Sequence, residues 1–149
     1  MNINYENVSS FSHYYASGNI RYHHICSNDN NMYWNSITLN YKDDDVSTVV
    51  YCEIIKNSGI HDNNISKVIY KYNDNGYITS VQYKLNEFLH NENGPAHILY
   101  YENTKCVFSM SWYINGILIN KSQNIKPENG NNSLWFNVNL PKIEPSSIT

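Results

Sequence analysis

Alanine is nearly absent from this 149-residue chain, and basic residues are few: Lys and Arg number 10 against 13 Asp and Glu, a formal net charge of −3. Without alanine the chain has little of the best helix former. With so few basic side chains it has no cationic patch to neutralise phosphates, which argues against nucleic acid and against an anionic membrane surface as the main partner. The three cysteines, Cys26, Cys52 and Cys106, are odd in number and widely spaced, unlike a disulfide framework. We read them as free thiols in a reducing compartment. No window approaches the ~18 apolar residues of a membrane span, and the first residues lack the charged start and apolar stretch of a signal peptide. The expectation is a soluble, intracellular, single-domain protein, since a chain this long buries roughly two thirds of its unfolded surface.

What the chain has instead is Asn, Ile and above all Tyr, which supplies most of an aromatic content of 14%. Tyr, Ile, Val and Thr suit a pleated, half-buried surface, so the composition points to β structure. Alternating or β-rich runs at 33–41, 47–55, 67–72, 77–84, 97–101 and 106–114 are separated by turn chemistry, including KDDD, NDNG, NENGP and ENTK. The spacing leaves no room for helices between strands and predicts an antiparallel β-meander. Beyond Asn120 the pattern weakens; residues 134–140 (LWFNVNL) alternate as one more strand, expected to cap the sheet's open edge.

The strands repeat. Asn86 and Asn115 are 115−86 = 29 residues apart, Leu89 and Leu118 likewise (118−89 = 29), and Asn57, Ile60 and His61 stand 29 before Asn86, Leu89 and His90. Tyr14, Gly18 and Ile20 stand 58 residues, two periods, before Tyr72, Gly76 and Ile78. A fixed period of this length marks a repeat architecture, in which one unit cannot bury its apolar face alone. We therefore divide the chain into a degenerate N-terminal repeat region (1–46), better-preserved hairpin repeats (47–120), a C-terminal cap (121–140) and a flexible tail (141–149). The unit around Tyr41 and KDDDV has lost its glycine and fits only with slippage.

The string LHNENGPA from Leu89 to Ala96, then Tyr100-Tyr101-Glu102-Asn103, then WYINGIL from Trp112 to Leu118, resembles the MORN-like repeat variant with elements LHR-x-x-GPA, YY-x-NG and WY-x-NG-x-L. Such repeats occur in bacterial antitoxin-like proteins and in giant viruses. The close match covers about residues 72–120. Asn91 stands where Arg is usual, Thr104 or Lys105 where Gly is, and Ile119 where His is common, so no ligand role tied to the family's Arg and His carries over. The resemblance implies about four β-hairpins joined into one elongated, twisted antiparallel sheet. Its repeat-defining structural positions here are Gly76, His90, Gly94, Pro95, Ala96, Asn115 and Gly116. Physical reasoning agrees: Gly94 lets the backbone turn, Pro95 fixes φ, and small Ala96 lets strands approach. Trp112, Tyr83 (112−83 = 29) and Ile54 (83−54 = 29) should then share one face.

Few constellations suggest chemistry. His13, His23, His24 and Cys26 include metal-ligand types without the paired spacing of a zinc site, and read better as exposed strand or loop residues. Asp43, Asp44 and Asp45 lack the spaced ligands, glycine and distal Glu of a calcium loop, and read as a solvated turn. No nucleophile elbow or phosphate-cradling loop is present, and Cys52 and Cys106 fall in expected strands. We expect no catalytic residues, metal, cofactor or small-molecule substrate. The leading expectation is a non-enzymatic interaction or scaffold module that binds a protein partner or a second copy through an aromatic face including Tyr83, Tyr101, Trp112 and Tyr113. The alternatives are an immunity-type or antitoxin-type inhibitor on the same scaffold, whose acidic face would be Asp43 to Asp45, and, third, an enzyme.

Overall fold

A computed structural model describes residues 8–27, 34–57 and 64–123. Strands follow one another as β1 (Val8–Tyr14), β2 (Ile20–Ser27), β3 (Ser36–Tyr41), β4 (Val49–Asn57), β5 (Ile65–Tyr72), β6 (Ile78–Leu85), β7 (Phe88–Leu89), β8 (His97–Tyr100), β9 (Val107–Ile114) and β10 (Ile117–Gln123). They form one open antiparallel meander in chain order, with short β7 off the main path beside β6. The expected all-β hairpin architecture is present. β10 runs three residues past Asn120, where sequence alternation fades. The 134–140 strand and the 141–149 tail lie outside the described residues.

The 29-residue period is written into the backbone. The returning strands β2, β4, β6 and β9 begin at Ile20, Val49, Ile78 and Val107, 29 residues apart each time (49−20, 78−49, 107−78). Each pairs its first residue with a tyrosine across a register shift: Tyr14 with Ile20, Tyr41 with Val49, Tyr72 with Ile78 and Tyr100 with Val107. A bulge at the same place in each of these four hairpins raises the local twist and aims the chain into its turn. The turns differ in length, and the outgoing tyrosines absorb the difference. This is the physical form of the slippage at Tyr41.

The unit that lost its glycine keeps the conformation. Gly18, Ser47 and Gly76 are 29 apart and all left-handed, with φ of 91°, 54° and 81°. Asp44 likewise does what Asn73 does one period later (73−44 = 29). Asp44 Oδ1 accepts the Thr48 amide at 3.0 Å, and Asn73 Oδ1 accepts the Tyr77 amide at 3.0 Å. Neighbouring turns are then stitched side by side. Ser17 Oγ and Asn19 Nδ2 donate to Asp43 Oδ1 at 2.6 and 3.0 Å, and Asn73 Nδ2 donates to Asn103 Oδ1 at 2.7 Å.

Strand alternation sorts side chains onto two faces. On the core face one row runs His23, Leu39, Cys52, Tyr70, Val81, Ile98, Met110, and a second runs Ile25, Ile37, Ile54, Val68, Tyr83. His23, Cys52, Val81 and Met110 recur at 29, as do Ile25, Ile54, Tyr83 and Trp112. Ile25, Ile37, Leu39, Tyr41, Val81, Ile98 and Val107 are fully buried, joined by Trp34 from the segment before β3. The opposite face is mostly polar, with Thr38, Asn40, Glu53, Lys67, Lys71, Ser80, Gln82 and Lys84.

Candidate interaction surface

The expected aromatic residues divide between surfaces. Tyr83 and Trp112 share the core face, one on each side of Ala96, the residue before β8: the Tyr83 amide donates to Ala96 O and the Ala96 amide to Ser111 O, both at 2.8 Å. Ala96 is completely buried between them, so its small side chain is what lets the two returning strands flank it. Tyr113 alternates to the opposite face, across from Leu118. Tyr101 sits at the turn before β9 and meets Phe108 edge-on, ring centroids 5.2 Å apart. The four do not form one patch.

Coverage of the core face changes along the sheet. Ile25, Ile37, Leu39, Ile98 and Val107 are sealed, whereas Ile54, Val68, Tyr83, Met110 and Trp112 are only partly covered. Among the described residues the sheet ends on β10, whose Ile117, Leu118 and Ile119 are exposed (68%, 50% and 62%) beside Phe88 at 61%. Phe88 also lies against Gly116, and a Cβ there would stand 3.0 Å from its Cδ1. Among the described residues this corner holds the densest run of exposed aliphatic and aromatic side chains. Composition hid it, because isolated apolar residues on a surface are ordinary and only the sheet order shows Ile117 to Ile119 on an edge.

The repeat-defining residues hold this end in shape. Asn86-Glu87 and Asn115-Gly116, 29 apart, are two-residue hairpin turns with both residues left-handed (φ 49°, 71° and 48°, 81°), the geometry that matches the twist of the flanking strands. His90 reaches the second turn: the Asn115 amide donates to His90 Nδ1 at 3.0 Å and the Gly116 amide to Leu89 O at 2.8 Å. Asn91 donates through Nδ2 to Pro95 O at 3.1 Å, and Pro95 is buried beside Ala96. Gly94 does not take a positive φ; the left-handed positions nearby are Asn86, Glu87, Asn115 and Gly116.

The histidine cluster differs from expectation. His23 is buried, not exposed, because alternation in β2 turns it to the core face. There Ser12 Oγ lies 2.5 Å from its Nδ1, and its Nε2 has no partner. Burial, then the neighbouring His24, pushes its pKa below 6.5. His24 and Cys26 lie together on the opposite face, with His13 next to Tyr22. Among the described residues no group of three or more His, Cys, Asp or Glu is arranged to hold a metal.

The acidic turn is largely engaged in its own structure. Asp43 binds the preceding turn and Asp44 binds Thr48, whose hydroxyl and amide hold the carboxyl below its usual pKa. On the polar face Lys67 bridges Glu87 at 2.7 Å and Glu53 at 3.7 Å, and Tyr51 Oη donates to Glu53 at 2.9 Å. A cleft of about 320 Å³ opens between the 42–48 and 73–77 turns, lined by Leu39, Thr48, Val49, Cys52, Tyr72 and Asn75. Burial pushes the Cys52 thiol up to about 12, so it stands as a neutral group in a wall that is part polar and part apolar. No protein-family model matches the chain, and comparison with curated proteins and with solved structures yields no significant match.

Proposed function

We propose that this protein is a non-enzymatic interaction module of the MORN-like repeat kind, which associates with a second copy or another polypeptide at its C-terminal edge. The observation that carries the reading is the end of the described sheet: Tyr83 and Trp112 are only half-covered there, and the last described strand exposes Ile117, Leu118 and Ile119. A repeat sheet buries each unit against the next, so its last described unit needs a cover, from the chain's own 134–140 segment or, on this reading, from another chain. An edge strand supplies backbone donors and acceptors for an incoming strand, and the aliphatic side chains supply the apolar contact. The half-buried Tyr and Trp are residue types enriched at the centres of interfaces.

Light scattering over a concentration series tests the reading with a second copy as occupant, and photo-crosslinking from position 119 in the native source tests it with another chain. Wild type is expected to give a specific complex that Ile117→Lys and Ile119→Lys abolish while melting as wild type. A strict monomer that also yields no crosslinked species sensitive to those substitutions overturns it.

A further inference from the structure

On the polar face of β2, Cys26 Sγ lies 3.0 Å from His24 Nε2, and His24 Nδ1 lies 2.9 Å from Thr38 Oγ1 on β3. The three residues come together because His24 and Cys26 are two apart in one strand, hence on one face, and Thr38 is the register partner of His24. The ring is held from its sides as well. Tyr22 stacks parallel to it at 6.1 Å and Phe11 lies tilted at 5.1 Å. Nucleophile, base and a third group that orients the base are the elements of an activated thiol. The residues across from Cys26 on both flanking strands are the short Ser9 and Ser36, and Cys26 is itself partly exposed.

We propose that Cys26 is a thiol–disulfide exchange site that takes up a low-molecular-weight disulfide as a mixed disulfide, with His24 as proton acceptor and Thr38 as positioning residue. With Nδ1–H donating to Thr38 Oγ1, the Nε2 lone pair faces the thiol. Nε2 takes the thiol proton, the Cys26 thiolate attacks one sulfur of the disulfide, and the departing thiolate recovers the proton from the imidazolium. One S–S bond forms and one breaks, with no net oxidation and no further reagent. The other thiols serve as internal references. Cys106 is also partly exposed but pairs with no imidazole among the described residues, and Cys52 is buried. The site stands apart from the C-terminal edge and does not rest on the interaction reading.

The test uses the folded full-length protein with dithiodipyridine at neutral pH, quenched at intervals and mapped by peptide mass spectrometry. Cys26 is expected to react about tenfold faster than Cys106, with Cys52 last. His24→Gln should bring Cys26 down to the Cys106 rate without changing Cys106 itself. Thr38→Val should slow Cys26, and Thr38→Ser, which keeps the hydroxyl, should restore it. Cys26 reacting no faster than Cys106, or keeping its rate in His24→Gln, overturns the proposal. Should His24→Gln open the sheet, seen as faster labelling of Cys52, the Thr38 pair decides: equal rates in the Val and Ser variants overturn it.

Discussion

The amide of Asn115 donates a hydrogen bond to Nδ1 of His90, 3.0 Å away and 25 residues earlier in the chain. The bond fixes the ring nitrogen as an acceptor and ties the loop before β8 to the Asn115-Gly116 turn. His90→Ala is therefore expected to cost about 1 kcal/mol, the ordinary net worth of one hydrogen bond whose donor is left to solvent. Urea unfolding monitored by tryptophan fluorescence measures it, and an unchanged midpoint would remove His90 from the structural set.

Gly18 and Gly76 stand two periods apart in equivalent turns, both left-handed. An added Cβ at Gly18 meets nothing within 4 Å, and at Gly76 only Thr48 Cγ2 at 3.7 Å. Any cost of Gly18→Ala or Gly76→Ala is thus a backbone cost, about 1–2 kcal/mol for an L-residue held at positive φ. Thermal melts should show similar losses for the two. Ser47 already bears this conformation, so Ser47→Ala should cost less than either.

Much of this was legible in the sequence because a meander puts neighbours in sequence next to each other in space. Offset 29 located the turns at Gly18 and Gly76 and the shared face of Ile54, Tyr83 and Trp112, since period and pleat are both local. Three things were not legible. Ser47 in the left-handed region carries no compositional mark, so its unit looked broken. His23 and His24 are adjacent letters, and only the register of β2 sends one to the core and the other to the polar face. Thr38 gains meaning only as the partner of His24 across a strand pair, a relationship that no motif spacing encodes.

Ala96 is completely buried between the strands that carry Tyr83 and Trp112. Ala96→Leu should overpack this junction and cost about 1–3 kcal/mol. In contrast, Val81→Ala in the row above should cost about 2–3 kcal/mol by leaving a void. Denaturant curves for the two variants distinguish a tight junction, where enlargement hurts, from a loose one, where Ala96→Leu would be neutral.

Acid should weaken the fold beginning near neutrality. His23 and His97 are both held below 6.5, His23 by burial and then His24, His97 by burial and then Lys121 and Lys71. In the unfolded chain each binds its proton near 6.5, and in the folded chain only at lower pH, so below 6.5 the unfolded state holds more protons and gains population. Their stabilising contribution is complete above that pH and is lost as pH falls through the folded values. A second loss follows at lower pH as Asp44 and Glu87, held down by Thr48 and Lys67, take up protons. Stability measured against pH should flatten in the first window in a His23→Phe, His97→Gln double variant; a wild-type profile level down to the carboxylate range would contradict the burial of His23.

The proposed function rests on β10, the last strand of the described sheet, receiving another chain. Hydrogen exchange of the β10 amides, followed by mass spectrometry at low and high protein concentration and with any crosslinked partner, tests it most directly. The account predicts slowed exchange confined to 117–123 and the adjoining Phe88 region in the associated state, with the β2 and β4 amides unchanged. Exchange at β10 that stays the same in free and associated protein, with protection appearing elsewhere, would contradict it.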